Sequence, residues 1–115
     1  MPGRRADRVA KQVVQALAAM LDRHTGDPRL QGVTFTGARM TPDLKNVRVF
    51  FSHIGDRDER DAATQALAKA NGFLRREITR DLDLRFSPQL SFEFDDSFDT
   101  ADRIERLLKE AEGRR

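Results

Sequence analysis

The sequence predicts one two-layer α+β domain, with helices covering one face of a three-stranded sheet. Three observations lead there. The chain has 115 residues, enough for one domain and little more. Apolar residues recur at helical spacing in three stretches and alternate with period two in three short ones. Each alternating stretch is apolar on one side only, which asks for cover on one sheet face. The domain is expected to span residues 1–115, with an ordered core over about 5–111.

The elements follow in order. Residues 5–24 form a helix whose stripe is Val9, Val13, Ala16, Leu17, Met20 and Leu21, leaving Arg8, Lys11, Gln15, Asp22 and Arg23 outside it. Thr25-Gly26-Asp27-Pro28 stops it, because Gly tolerates a left-handed cap and Pro cannot continue a helix. Residues 32–41 read as a strand whose parity breaks between Phe35 and Ala38, around Gly37, so a bulge is expected there. Thr41-Pro42-Asp43 turns the chain into a second strand, 46–52, with Val47, Val49 and Phe51 on one face and Arg48, Phe50 and Ser52 on the other. The short connection predicts an antiparallel hairpin.

A second helical stripe starts near Asp58 and runs through Ala63, Leu67, Ala70, Leu74 and Ile78, interrupted at Asn71-Gly72. Leu82, Leu84, Phe86, Leu90, Phe92 and Phe94 then share one parity, and Pro88 confines the regular strand to about Gln89–Phe94. Residues 99–111 give a last helix through Ala101, Ile104, Leu108 and Ala111.

Composition narrows the function. Cysteine is absent, which excludes disulfides, thiolate metal sites and Cys nucleophiles. No apolar run nears the roughly 20 residues that a membrane helix needs, and a cytoplasmic protein is expected. His24 and His53 are the only imidazoles, and neither has a partner at ligand spacing. Asp95-Asp96, between a strand and a helix, reads as a cap and turn. No phosphate loop, nucleophile elbow or His-Glu-x-x-His is present. Neither catalysis nor a cofactor or metal is expected. Net charge is only +2, but residues 1–55 hold nine Lys/Arg against four Asp/Glu, and residues 91–105 hold six acids against one Arg. One region suits a polyanion while another repels it.

Asn71-Gly72 is the most informative local feature, since Gly in a helix interior costs about 1 kcal/mol relative to Ala. Two readings stay open: a bend that wraps the helix around the sheet, or a new helix N-terminus whose free N–H groups face a phosphate.

Several segments together resemble the ribosome-binding factor A family over about residues 5–108. They are Arg8-Val9, Asp27-Pro28-Arg29-Leu30, Thr41-Pro42-Asp43-Leu44, Ala70-Asn71-Gly72-Phe73-Leu74-Arg75-Arg76-Glu77, Leu84-Arg85-Phe86-Ser87-Pro88-Gln89-Leu90, Phe94-Asp95-Asp96-Ser97 and Arg103-Ile104. The resemblance implies a type II KH-like fold in which the Ala70-Asn71-Gly72 kink stands where ordinary KH domains carry a Gly-x-x-Gly loop. It also implies a bacterial assembly factor that binds the immature small ribosomal subunit, assists late maturation and processing of its ribosomal RNA, and serves growth in the cold. A GTPase is implied in its release.

Phosphate contacts dominate RNA affinity, so cations lead the candidate site. At 100° per residue Lys69, Arg76 and Arg80 fall within about 40° of one another on one helix flank, and Asn71 and Gly72 at the interruption join the candidates. Arg4, Arg5 and Arg8 open the first helix, and Lys45 and Arg48 lie at the hairpin. For each, an ordinary solvated role stays open. Arg75 points to the other flank, where pairing with an acid of the last helix and RNA contact are both open. Phe50 suits either base stacking or edge packing. The partners expected are small-subunit ribosomal RNA and the free subunit, met by a monomer, with no membrane. A general KH-like RNA binder, and a protein–protein adaptor using the acidic 91–105 segment, are the competing functions.

Overall fold

The computed structural model describes residues 4–24, 27–96 and Leu108. Helix α1 spans Arg4–His24, a 3₁₀ turn covers Pro28–Leu30, strands β1 and β2 are Val33–Met40 and Asn46–His53, helix α2 is Arg57–Asp81, and strand β3 is Gln89–Phe94. The sheet order is β1-β2-β3. β1 and β2 pair antiparallel, and the register shifts between Phe35 and Gly37, where the parity break predicts a bulge. β2 and β3 pair parallel from Asn46 opposite Gln89 to Phe51 opposite Phe94. A parallel pair needs a crossover, and α2 supplies it.

Capping side chains fix the element starts. Asp56 accepts from the Glu59 amide at 2.8 Å and begins α2, one residue before the position that the stripe suggests. Asp27 accepts from the Arg29 amide at 3.0 Å, with Pro28 just inside the 3₁₀ turn. The hairpin is tied by Thr41, whose hydroxyl donates to Asp43 at 2.6 Å and accepts from the Asn46 amide at 3.1 Å.

One sheet face is apolar. Phe35, Met40, Val47, Val49, Phe51 and Leu90 are buried there against Val13, Leu17 and Met20 of α1 and Ala66, Leu67, Leu74 and Ile78 of α2. Phe51 meets Phe94 edge-on at 5.8 Å, and Phe35 meets Phe92 at 6.0 Å. The opposite face carries Arg39, Arg48, Phe50 and Glu93.

Two expectations need correction. Helix α2 runs unbroken through Ala70-Asn71-Gly72, so no helix N-terminus opens there. Its apolar stripe is continuous on both sides, and the packing gained outweighs a Gly penalty of about 1 kcal/mol. Phe86 leaves the period-two pattern of its neighbours: Leu82 and Leu84 pack against the core, whereas Phe86 is 66 % exposed. Apart from Leu108, the expected helix over 99–111 lies outside the described residues, as does the Thr25-Gly26 part of the first turn.

Candidate nucleic-acid interface

The two flanks of α2 are told apart by their partners. On one, the Asn71 amide donates to the Leu90 carbonyl at 2.7 Å. Beside it Arg75 Nε donates to the Pro88 carbonyl at 2.8 Å, and Thr79 donates to Ser87 Oγ at 3.1 Å. This flank holds the start of β3. Arg75 is therefore a tie between α2 and the β3 approach; the acids of the expected last helix lie outside the described residues.

Lys69, Arg76 and Arg80 lie on the other flank, within about 40° of one another and spread over about 16 Å of axis. An unbroken helix lets this geometry be read straight from the sequence. Lys69 also acts on Asp27, beside the 3₁₀ turn: its charge helps lower that carboxyl, though Arg29 does most of it by direct hydrogen bonds. Among the described residues neither Lys69 nor Arg76 has a carboxylate partner. Arg80 differs, since it pairs with Glu77 and lies 3.9 Å from Asp81. Phe73, which lies outside the apolar stripe, is 42 % exposed beside this row.

Gly72 is exposed and its backbone is open to solvent. A Cβ there would meet only Arg76 Nη1, at 3.5 Å. Asn71, by contrast, is half-buried and occupied by its bond to Leu90.

The remaining candidates divide between two places. Arg5 and Arg8 are exposed on the first turns of α1 and line a cleft with the loop after α2; Arg4 is exposed beside them. Arg48 lies on the sheet face away from the helices, 3.6 Å from Glu93 and opposite Arg39 in the strand register. Phe50, half-buried on that face, stands opposite Gly37. Lys45 is exposed in the hairpin turn, its amide held by Asp43 at 3.0 Å. The structure thus does not gather the ten candidates into one patch. Arg48 faces away from the α2 row.

Glu93 and Asp95, the first acids of the 91–105 segment, are engaged on the sheet, Asp95 accepting from Thr36 Oγ at 2.7 Å. Among the described residues no three His, Asp or Glu side chains gather as a metal group would need, and no helix is long and apolar enough to cross a membrane. His53 ends β2 with Nδ1 buried and unpartnered among the described residues; the side chain of His24 lies outside them.

Two helices on one face of a three-stranded mixed sheet, in this order, define a KH-like α+β module. The profile of ribosome-binding factor A matches residues 5–108, and the chain belongs to that family. It is 45 % identical over 112 residues to the ribosome-binding factor A of Syntrophobacter fumaroxidans, covering 96 % of each chain. With that of Desulfatibacillum aliphaticivorans it shares 42 % identity over 106 residues, 92 % of this chain and 86 % of the relative. Among solved structures, the crystal structure of ribosome-binding factor A from Thermus thermophilus is similar at TM-score 0.67 and 25 % identity, over 76 % of this chain and 93 % of that one. A solution structure from Thermotoga maritima is similar at TM-score 0.70 and 28 % identity, over 81 % and 89 %. A Thermus thermophilus homology model fitted into a cryo-electron-microscopy map of a complex between that factor and the 30S subunit shares the fold at TM-score 0.67 and 24 % identity, over 79 % and 96 %.

Proposed function

We propose that this chain is a cytoplasmic assembly factor that binds the immature small ribosomal subunit as a monomer. It assists late maturation and processing of the subunit's ribosomal RNA, including during cold adaptation, and a GTPase takes part in its release. The observation that carries this reading is the family match over nearly the whole chain, 5–108. The relatives' name describes ribosome binding, and the Thermus thermophilus factor was fitted into a map of its 30S complex.

The helix flank supports an RNA-facing role. Among the described residues Lys69 and Arg76 project from the helix with no carboxylate within ion-pair distance, and Gly72 leaves bare backbone between them. Cations held this way contact phosphates without reading sequence. Arg4, Arg5 and Arg8 offer a separate group of cations at the start of α1. Lys45 and Arg48 serve as rim contacts, and Asn71 acts by holding the helix to β3.

Sedimentation tests the reading. Added to a mixture of free small subunits and assembled ribosomes, the chain is expected to travel with the free subunits. Equal recovery with both, or with neither, contradicts an assembly role; retained affinity for bulk RNA without subunit preference returns the general RNA binder.

A further inference from the structure

A concave surface lies at the end of the domain where three segments converge. It is a cleft of about 640 Å³ lined by Arg5, Arg8 and Gln12 of α1, by Leu44 of the hairpin turn, and by Arg85 and Phe86 of the loop after α2. That volume lies within the roughly 300–1,000 Å³ of small-ligand sites.

The chemistry of its lining is selective. Arg5, Arg8 and Gln12 recur at helical spacing, so α1 presents them as one stripe. Among the described residues none of Arg5, Arg8 and Arg85 has a carboxylate within ion-pair distance. Two acids, Asp43 and Asp83, stand among three arginines in the lining. Asp43 is already occupied: it accepts from Thr41 Oγ at 2.6 Å and from the Lys45 amide at 3.0 Å, which hold its carboxyl below the usual range. Phe86 stands 66 % exposed, although every Phe of the sheet is at least half-buried. The Arg85 guanidinium lies 5.6 Å from its ring centroid. A solvated aromatic face is an expense for a folded chain and gives nothing back inside it.

We infer that this cleft binds an unpaired RNA segment, with one base stacked on Phe86 and the flanking phosphates held by Arg5, Arg8 and Arg85. An open ring beside unpaired arginines is how proteins hold single strands without reading sequence, because every base has a π-face. A duplex hides those faces, so RNA is gripped by base stacking only where it is unpaired. The turns build the opening. Leu44 and Asp83, at φ 62° and 51°, are the only non-glycine residues with positive φ among the described ones, and both line it. The inference rests on the chain being an RNA-contacting factor, and names the kind of RNA taken at a second place on its surface.

The test uses the full chain and a single-stranded RNA octamer carrying 2-aminopurine, whose fluorescence reports stacking. Wild type is expected to bind with a stacking signal. Phe86→Ala weakens binding by about tenfold and abolishes the signal; Phe86→Leu, which keeps apolar bulk without a ring, behaves like Ala, and circular dichroism verifies that both are folded. Arg5→Ala with Arg8→Ala weakens binding and flattens its salt dependence. An octamer bound equally well by folded Phe86→Ala overturns the inference, as does equal affinity for a duplex of the same length. Loss of subunit binding in Phe86→Ala with unchanged octamer binding assigns the cleft to a protein segment and overturns it too. Subunit sedimentation of wild type, run in parallel, separates the two readings. If the chain ignores subunits yet stacks the octamer, the assembly role falls; if it binds subunits but not the octamer, only the cleft does.

Discussion

Asp27 shows how much a single residue settles. Its carboxylate accepts from the Arg29 amide and is held by the Arg29 guanidinium, with Oδ2 at 2.6 Å from Nη2. These hydrogen bonds pull its pKa from the ordinary 3.8 to about 2. A carboxyl lowered on folding contributes stability that is fully present above its unfolded value. That contribution is lost as pH falls from about 4 through about 2. Carboxyl NMR is expected to show Asp27 titrating near 2 in wild type and higher in Arg29→Ala, which loses the guanidinium but keeps the amide bond; an unchanged titration in the variant contradicts the assignment. Asp27-Pro28 was legible as a stop for α1, but the Arg29 clasp was not, because a two-residue offset says nothing of side-chain geometry. A structural role for Arg75 was legible beside RNA contact, but its partners were not, for a related reason. Its partners are backbone carbonyls of Pro88 and Ser87, and a carbonyl leaves no mark in a sequence.

At the scale of the element, the alternating and helical patterns carried the fold well. β3 falls at Gln89–Phe94, where Pro88 and one shared parity set it, and the bulge falls where Gly37 breaks the rhythm of β1. Helix α2 was harder. Asn71-Gly72 reads as an interruption, yet the helix continues because tertiary packing decides helical stability more than local propensity does. The two residues do opposite things. Asn71 ties the helix to Leu90, so Asn71→Ala should lower stability by about 1 kcal/mol. Gly72 has room for a methyl group, so Gly72→Ala should raise it by about 1 kcal/mol. Urea titration of the two variants checks both signs; destabilisation by Gly72→Ala contradicts the open-backbone geometry. The Phe86 cleft escaped the sequence reading altogether. Its walls come from three segments far apart in the chain, and the parity of Phe86 matched that of buried neighbours.

For the molecule as a whole, a net charge of +2 conceals where the charges lie. The order of patterns is enough to place two helices on one sheet face, and a row of cations on α2 follows from helix periodicity alone. What periodicity cannot supply is the sign of the row's surroundings. Glu77 and Asp81 hold Arg80, while Lys69 and Arg76 stay unpaired among the described residues. Strand alternation did put Arg48 on the face of the sheet opposite Val47, Val49 and Phe51, and the structure keeps it there. The central claim is thus that Lys69 and Arg76 grip phosphate. Its most direct test is the salt dependence of affinity for purified immature small subunits, measured for wild type and for Lys69→Glu with Arg76→Glu. The account predicts a steep fall in wild-type affinity with salt, and a slope shallower by about two in the folded double variant. Superimposable lines for the two proteins, or a wild-type affinity indifferent to salt, contradict it.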